Sequence, residues 1–214
     1  MDLIFCYTGT PGSGKSYDAT ALIYNKIYRP KPKMVIANYN LNIDEKHSKY
    51  FRYIPNNELT PDLLSEISNE YFSTHDFKES SLILVLDEAQ LVFNSRLWAE
   101  KSRMGFLEFM SQSRHMGYDV ILIAQSDKMI DRQFRALIEY EVKHRKLANF
   151  GFVGRLLSLV AFGQVYAAVT YYYGLTERLG VRFFTTRKKI FRLYDSYVMF
   201  RRTGQDSQAL PEKV

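Results

Sequence analysis

The sequence predicts a three-layer α/β domain built on a mainly parallel sheet. Four short apolar runs within the first 125 residues are separated by segments with helical periodicity, and parallel strands buried on both faces read as such runs. A glycine-rich loop joins the first run to a helical segment. With 214 residues, of which 46% are apolar and 15% aromatic, the chain is also long enough to bury a core of this kind.

The N-terminal part of this pattern covers two strands and one helix. LIFCY, residues 3–7, predicts the first strand. The apolar spacing over 16–28 predicts a helix with one apolar face, which Pro30 and Pro32 end. MVIANYNL, residues 34–41, predicts the second strand.

Two further strands follow, each preceded by a helix. Thr60 is suited to cap a helix that begins with Pro61, because its hydroxyl can accept a hydrogen bond from the first turn. LILVLDEA, residues 82–89, predicts the third strand. A helix over 104–117, closed by a glycine, leads to the fourth strand, YDVILIAQ, at 118–125.

Beyond residue 126 the periodicity changes. A short helix is predicted over 131–137, and the alternation of apolar and charged residues over 138–145 predicts a strand with one wet face. Alternation returns over 187–200, which predicts a further strand. The polar ending, 201–214, predicts a flexible tail.

Residues 156–176 carry no charge and allow two interpretations. Their length would let a helix span a bilayer. Four polar side chains, two glycines and the strand-forming end VTYYYG instead favour buried strands, singly or in a hairpin. We therefore expect a β-rich extension at 151–200, packed on a core domain at 1–150.

Composition limits the compartment and the partners. The single cysteine, Cys6, excludes an internal disulfide and indicates a buried thiol in a reducing compartment. The N-terminal residues lack the regions of a secretory signal, so we expect this part to stay in the cytosol. Lys and Arg number 14 against 16 Asp and Glu over 1–130, but 15 against 7 over 131–214. A basic flank suits nucleic acid, anionic lipid or an acidic partner, and equally a solvated face.

Residues 9–16, GTPGSGKS, fit the phosphate-binding pattern G-x-x-x-x-G-K-[ST] between a predicted strand and a predicted helix. Glycines let the backbone turn tightly and aim N–H groups at phosphate oxygens. Lys15 brings a positive charge to the β and γ phosphates, and the helix N-terminus favours the same anion. The sequence therefore predicts a nucleotide site of the P-loop type. Its predicted binding residues are Gly9, Thr10, Pro11, Gly12, Ser13, Gly14, Lys15, Ser16 and Tyr17.

Polar residues end the third and fourth strands, at the sheet edge where the loop is also expected. Asp87 is placed to bind Mg²⁺ together with the Ser16 hydroxyl, and Glu88 to take a proton from the water that attacks the γ phosphate. Gln125 is placed to contact the γ phosphate and the same water. With Lys15, these residues favour hydrolysis of ATP, with Mg²⁺ as cofactor, over transfer to a small acceptor.

A cation near the scissile bond would also promote hydrolysis, because negative charge builds up there in the transition state. The candidates are Arg96, Arg103, Arg114, Arg132 and Arg135. Arg114, directly before the fourth strand, is the first choice, and we expect it to reach the nucleotide of a neighbouring subunit. For any single arginine, a surface role is the simpler alternative. The four histidines have no ligand spacing, so no metal site beyond nucleotide-bound Mg²⁺ is predicted.

Several segments together resemble the zonula occludens toxin (Zot) family, which includes assembly proteins of filamentous phages. They are ANYNL at 37–41, LVLDEAQ at 85–91, SRHMGYDVILIAQ at 113–125, IDRQFR at 130–135 and IFRLYDSY at 190–197. The likeness covers most of the chain, to about residue 197. The nucleotide motifs occur in many ATPases, whereas the R-H-x-G-x-D…Q segment and the late YDS are more particular to this family.

The resemblance implies an FtsK/HerA-like P-loop ATPase domain that works as a homo-oligomeric ring, with a hexamer as one candidate size. Such a motor would act on a phage single-stranded DNA complex, with coat or other assembly proteins, at the cytosolic face of the host bacterial inner membrane. In the family a membrane helix usually follows the ATPase domain. We expect that helix to lie beyond this chain, which is itself expected to be soluble. The toxin activity belongs to a separate C-terminal part and is not carried over.

Two other functional classes stay open at this point. A nucleotide-gated scaffold would bind ATP and assemble without turnover. A small-molecule kinase of the nucleoside monophosphate type shares the start TGTPGSGKS, although the arginine-bearing lid expected of such a kinase is not evident.

Overall fold

The computed structural model describes residues 3–93, 100–147, 165–175 and 177–194. Within these residues eight strands form one sheet in the order β3-β2-β4-β5-β1-β6-β7-β8. The strands are β1 Ile4–Thr8, β2 Met34–Ala37, β3 Phe51–Tyr53, β4 Leu82–Leu86, β5 Tyr118–Ile123, β6 Tyr140–Lys146, β7 Val165–Tyr172 and β8 Glu177–Thr185. The helices are α1 Lys15–Ile27, α2 Glu45–Ser48, α3 Pro61–Phe72, α4 Ala89–Val92, α5 Glu100–Gln112, α6 Arg132–Arg135 and α7 Lys188–Phe191.

The six strands from β3 to β6 in this order are parallel, and β7 and β8 add an antiparallel extension. The predicted α/β fold with a mainly parallel sheet is therefore confirmed. Because β1, β4 and β5 run in the same direction, their carboxyl ends meet at one edge of the sheet. The register places Leu86 beside Leu122 and Tyr7 beside Ile123, so the segments that follow these strands lie next to one another.

Helices cover both faces of the sheet. Successive side chains of a central strand point to opposite faces, so each such strand contributes to two cores. Leu82, Leu84 and Leu86 of β4 join a core with α3, α5 and α6. Ile83 and Val85 join a second core with α1. All five side chains are buried, which explains why this strand reads as an unbroken apolar run.

Local signals at the helix starts behave as the sequence predicts. Thr60 is the N-cap of α3, and its hydroxyl accepts a hydrogen bond of 3.2 Å from the Leu63 N–H. Gly14 precedes α1 in a left-handed conformation. Cys6 is buried in the sheet as a free thiol, which confirms the expected burial.

The strand interpretation of 156–176 is confirmed where the structure describes it. Val165–Tyr172 forms β7, which pairs antiparallel with β6 on one side and β8 on the other. Residues 156–164 lie outside the described part of the chain. No helix among the described residues combines the length and apolar character needed to cross a bilayer.

The strand predicted over 187–200 is wrong at its start, where Lys188–Phe191 forms the short helix α7. Only Ile190 of this helix is buried, and α7 packs against α1. With a single buried residue in four, the sequence shows no apolar periodicity that would distinguish a helix from a strand. Residues 195–200 and the tail at 201–214 lie outside the described residues, and the domain boundary at residue 150 stays a prediction.

The wet face predicted for β6 is wrong at one position. Glu141 is buried, accepts a hydrogen bond of 2.6 Å from the Thr8 hydroxyl and lies 3.2 Å from the Lys143 ammonium. These partners satisfy a carboxylate that alternation alone would place in solvent. The strands β3 and β8 were not predicted, because β3 has three residues and β8 is mostly exposed at the sheet edge.

Candidate nucleotide site

The loop between β1 and α1 has the backbone that a phosphate cradle needs. Gly9, Gly12 and Gly14 have φ angles of 144°, 72° and 93°, which residues with a side chain rarely adopt. A Cβ on Gly9 would lie 2.4 Å from the His144 carbonyl oxygen, so glycine is required where β6 approaches the loop. The Ser13 hydroxyl is buried and has no hydrogen-bond partner among the residues that the structure describes, which leaves a polar group for a bound anion.

Lys15 begins α1, and its ammonium folds back onto the loop. Nζ donates hydrogen bonds of 2.7 Å and 3.2 Å to the carbonyl oxygens of Gly9 and Thr10. Burial lowers the pKa of Lys15, while the Asp87 and Glu88 carboxylates act in the opposite direction. The ammonium is therefore held on the loop, close enough to the two acids for their charge to affect it.

Asp87 follows β4, and its carboxyl group faces the start of α1. Burial raises the pKa of this carboxyl, against the opposing effects of the Ser16 side chain, the Glu88 N–H and the Lys15 charge. Oxygen ligands of this kind suit Mg²⁺, which usually completes its coordination with water and substrate phosphates. Asp87 and Ser16 therefore fit an Mg²⁺ ion that arrives with a nucleotide. Within the described residues, no cluster of three His, Cys, Asp or Glu side chains could hold a metal by itself.

Glu88 is exposed and lies in the left-handed region, with φ 49° and ψ 47°. Such a conformation costs about 1–3 kcal/mol outside glycine, and these outliers cluster at functional sites. The Gln90 side chain donates a short hydrogen bond to the Glu88 carboxylate. The turn thus points an acid away from the strand and holds it with a neighbouring amide.

Asn38, which follows β2, holds the backbone of Asp87 in place, directly before Glu88. Its Oδ1 accepts a hydrogen bond of 2.7 Å from the Asp87 N–H, and its Nδ2 donates one of 2.8 Å to the Asp87 carbonyl oxygen. Nδ2 also donates 2.8 Å to Asn56. The side chain is buried, so these bonds are made away from water. Sequence reasoning missed Asn38, although a polar residue at the end of a buried strand is the same signal that identified Asp87.

Gln125 follows β5 and lines a cavity of about 540 Å³ beside the loop. Its carbonyl oxygen accepts a hydrogen bond of 3.3 Å from the Gly9 N–H, which ties the two strand ends together. The cavity is lined by residues 8–10, 125–127, 141 and 143–146. Lys143, Arg145 and Lys146 thus bring positive charge to the cavity beside the loop, a feature of β6 that the sequence did not reveal.

An ionic cluster supports the loop from behind, with Asp18 and His144 buried and Arg182 exposed. Asp18, in the first turn of α1, accepts hydrogen bonds of 2.9 Å from His144 Nε2 and of 2.6 Å and 2.8 Å from the Arg182 guanidinium. His144 Nδ1 lies 3.0 Å from the Val142 carbonyl oxygen, so both ring nitrogens face acceptors. The cluster joins α1, β6 and β8.

The antiparallel extension also packs on the loop through aromatic side chains. A Cβ on Gly14 would lie 2.9 Å from the Tyr166 ring, which shows how closely β7 approaches. The Tyr17 ring stacks on Phe184 at 6.1 Å and contacts Phe191 at 5.2 Å. Because the Tyr17 side chain is engaged with the extension, the predicted nucleotide contact of this residue would have to come from its backbone.

The predicted arginine, Arg114, does not join this site within one chain. It is exposed in the turn before β5, whereas Gln125 follows the other end of that strand. At a rise of about 3.3 Å per residue, the strand separates the two by roughly 20 Å. Arg103 binds Asp131 at 3.2 Å, and Arg96 lies outside the described residues. A role for Arg114 at a neighbouring subunit's nucleotide stays a prediction.

Comparison with known sequences identifies relatives over most of the chain. A family model described as zonular occludens toxin (Zot) matches residues 3–201. The Gene 1 protein of Enterobacteria phage I2-2 is 31% identical over 173 residues, which cover 76% of this chain and 46% of that protein. The Gene 1 protein of Escherichia phage If1 is 28% identical over 214 residues, which cover 92% of this chain and 59% of that protein. The chain thus spans about half the length of the curated relatives it matches.

Solved structures show where this fold occurs. The N-terminal domain of zonular occludens toxin from Neisseria meningitidis matches 91% of this chain and all of that domain, with 19% identity and a TM-score of 0.57. B204, the DNA-packaging ATPase from Sulfolobus turreted icosahedral virus, matches 87% of this chain and all of its own, with 16% identity and a TM-score of 0.54. The genome packaging NTPase B204 from Sulfolobus turreted icosahedral virus 2, in complex with ATP-gammaS, matches 85% of this chain and 96% of its own, with 16% identity and a TM-score of 0.51. The fold is therefore that of P-loop NTPases.

Proposed function

Because the chain belongs to the zonular occludens toxin (Zot) family, we propose that it is the ATP-hydrolysing motor domain of a filamentous phage assembly and extrusion protein. The single observation that carries this proposal is the convergence of Lys15, Ser16, Asp87 and Glu88 at one sheet edge. The likeness to phage Gene 1 proteins supports the phage context, and the P-loop NTPase fold supports the chemistry.

In the proposed reaction, water attacks the γ phosphorus of ATP and the bond to the β–γ bridging oxygen breaks. Lys15 and the N-terminus of α1 hold the phosphates, while Ser16 and Asp87 hold the cofactor. Mg²⁺ would supply charge stabilisation on the phosphoryl oxygens. Glu88 accepts the proton of the attacking water, and Gln125 orients that water against the γ phosphate.

Steady-state phosphate release tests the proposal with two substitutions and a control. We expect Lys15→Ala to lose nucleotide binding and turnover. Glu88→Gln should keep binding but lose turnover by about 10²–10⁴-fold, the usual contribution of a general base. Glu108→Gln, at an exposed position of α5, should retain the wild-type rate. Turnover that survives both Lys15→Ala and Glu88→Gln would rule out hydrolysis at this site.

The assay also separates the two alternatives. A nucleotide-gated scaffold would assemble with ATP and release no phosphate, an outcome consistent with the restraint that Gln90 places on Glu88. A nucleoside monophosphate kinase would instead move radiolabelled phosphate from ATP to the monophosphate, and wild-type protein given both nucleotides would form two diphosphates.

The partners follow from the phage context and belong to the same proposal. The domain would assemble into a homo-oligomeric ring at the cytosolic face of the host inner membrane. Its substrates would be the phage single-stranded DNA complex and the coat or other assembly proteins. The basic balance of residues 131–214, with 15 Lys and Arg against 7 Asp and Glu, supports contact with an acidic partner of this kind.

A further inference from the structure

Phe191, the last residue of α7, presents an aromatic ring to solvent beside the start of α1. The residue is 53% exposed, and its ring centre lies 5.2 Å from that of Tyr17. A single apolar side chain on a surface needs no explanation by itself. This ring, however, is the exposed end of a connected aromatic cluster that begins at the phosphate loop.

The cluster, which we call the aromatic shelf, consists of the rings of Tyr17, Tyr166, Phe184 and Phe191. The Tyr17 ring is parallel to that of Phe184, with ring centres 6.1 Å apart, and Phe184 stacks on Tyr166 at 5.4 Å. A Cβ on Gly14 would lie 2.9 Å from the Tyr166 ring and 3.3 Å from the Phe184 ring. The shelf therefore starts against the last glycine of the loop and ends at the exposed ring.

The helix α7 is fastened to α1, which gives the exposed ring a defined position. The Arg187 N–H donates a hydrogen bond of 2.7 Å to the Tyr17 hydroxyl, and Ile190 is buried. The Lys189 ammonium lies 4.4 Å from the centre of the Tyr24 ring on α1. A ring held in this way loses little conformational freedom when a flat ligand packs on it.

The strand order sets the direction in which a nucleotide would lie on the loop. Glu88 follows β4, two strands from β1 on one side, whereas Tyr166 and Phe184 lie on β7 and β8, two and three strands away on the other side. The proposed hydrolysis requires the γ phosphate near Glu88. The Tyr17 N–H belongs to the first turn of α1, whose N–H groups have no partner within the helix and can bind the phosphates that follow. The ribose and base would then leave the loop on the side of the shelf.

We propose that the aromatic shelf is the nucleobase site, in which the purine base of the bound triphosphate stacks on the exposed ring of Phe191. This inference rests on the proposed nucleotide function and adds the contact that would hold the base. An aromatic side chain suits this role because every base has a π-face, and replacing such a ring by alanine costs about 5–150-fold in affinity.

The test uses 2-aminopurine riboside triphosphate with Mg²⁺, because the fluorescence of this purine is quenched when its base stacks. We expect Phe191→Ala to weaken its affinity about 5–150-fold and to leave the bound base largely unquenched. Phe191→Trp should restore both properties. Inorganic tripolyphosphate, titrated as a competitor, should bind Phe191→Ala as it binds wild type, because it has phosphates but no base.

Phe183→Ala is the matched control, because Phe183 is also an exposed phenylalanine, on β8, where its side chain points to the opposite face from Phe184. It should keep the wild-type affinity and quenching. A Phe191→Ala affinity within twofold of wild type would overturn the proposal and leave the ring to a contact between subunits.

Two other results would also overturn it. Quenching that persists in Phe191→Ala would place the base elsewhere, and an equal loss of tripolyphosphate affinity would show that the ring supports the loop rather than the base. If wild type binds neither the nucleotide nor tripolyphosphate, the proposed function falls together with this inference. If wild type binds the nucleotide and Phe191→Ala binds it equally well, the proposed function stands.

Discussion

At the scale of single residues, Asn38 has no chemical role of its own and yet determines where two acids stand. Its amide satisfies both the N–H and the carbonyl oxygen of Asp87 with bonds of 2.7 Å and 2.8 Å. A backbone held at both groups has little freedom to rotate. The left-handed turn at Glu88 then directs the next side chain outward from a fixed starting point.

Asn38→Ala should therefore reduce both stability and turnover. Two buried backbone groups of Asp87 would lose their partner, which costs about 1–3 kcal/mol each. We expect phosphate release to fall about 10–100-fold, the usual effect of losing a residue that orients a ligand, with a smaller change in nucleotide affinity. Asn40→Ala, at an exposed position two residues along, is the control. An unchanged turnover number in well-folded Asn38→Ala protein would contradict this role.

The loop glycines should differ in their tolerance of a methyl group. At Gly9 an added Cβ would meet the His144 backbone at 2.4 Å, whereas at Gly12, its chain neighbours aside, it would have no atom of the described residues within 4 Å. Both have positive φ, so both substitutions cost about 1–2 kcal/mol of backbone strain. We expect Gly9→Ala to lower the free energy of unfolding by clearly more than Gly12→Ala, measured by urea denaturation. Equal losses would mean that β6 does not restrict the loop.

At the scale of elements, the Asp18 cluster holds α1 against β6 and β8. Burial alone would raise the pKa of the Asp18 carboxyl, but the hydrogen bonds and charges of His144 and Arg182 outweigh it and lower the pKa. A carboxyl whose pKa is lower in the folded chain adds stability above its unfolded pKa of about 3.9. That stability is lost as the pH falls through the folded pKa.

Asp18→Asn should consequently destabilise the protein most near neutral pH. We expect a loss of about 1–3 kcal/mol at about pH 7, reduced from the value of a fully buried pair because Arg182 is partly exposed. The difference from wild type should shrink below about pH 4, where the carboxyl of the unfolded chain begins to protonate, and should vanish once the pH falls below the lowered pKa of the folded chain. Asp62→Asn, an exposed acid in the first turn of α3, is the control. A pH-independent difference would show that the charge of Asp18 is not what matters.

The parallel core was predictable from the sequence because its physical signals are local. A strand buried on both faces consists almost entirely of apolar residues. A phosphate loop needs its glycines and Lys15 in a fixed order. The extension was predicted less well, because β8 lies at an edge and has few buried residues. The role of Asn38 depends on contacts between two segments that are distant in the sequence, which periodicity does not encode.

At the scale of the whole molecule, the phosphate loop and Arg114 lie near opposite edges of one sheet. A head-to-tail interface joins two different surfaces of neighbouring subunits, and a ring in which those surfaces were these two edges would bring them together. This arrangement would let each subunit supply an arginine to its neighbour.

A mixing experiment tests the exchange. Lys15→Ala lacks the loop ammonium, and Arg114→Ala lacks the arginine, so each variant alone should be inactive. In an equal mixture, about one quarter of neighbouring pairs would combine an intact loop with an intact arginine, and we expect about that fraction of wild-type phosphate release. No recovery in rings shown to contain both variants would exclude Arg114 as the shared residue.

The single thiol of the protein has a practical consequence for following such rings. Cys6 is fully buried in β1, and burial, followed by the charge of Glu141, raises the pKa of its thiol. A protonated, inaccessible thiol reacts poorly with maleimides. Cys6 should therefore stay unlabelled in the wild-type chain. A dye attached to one cysteine introduced at the surface would then report distances between subunits by energy transfer.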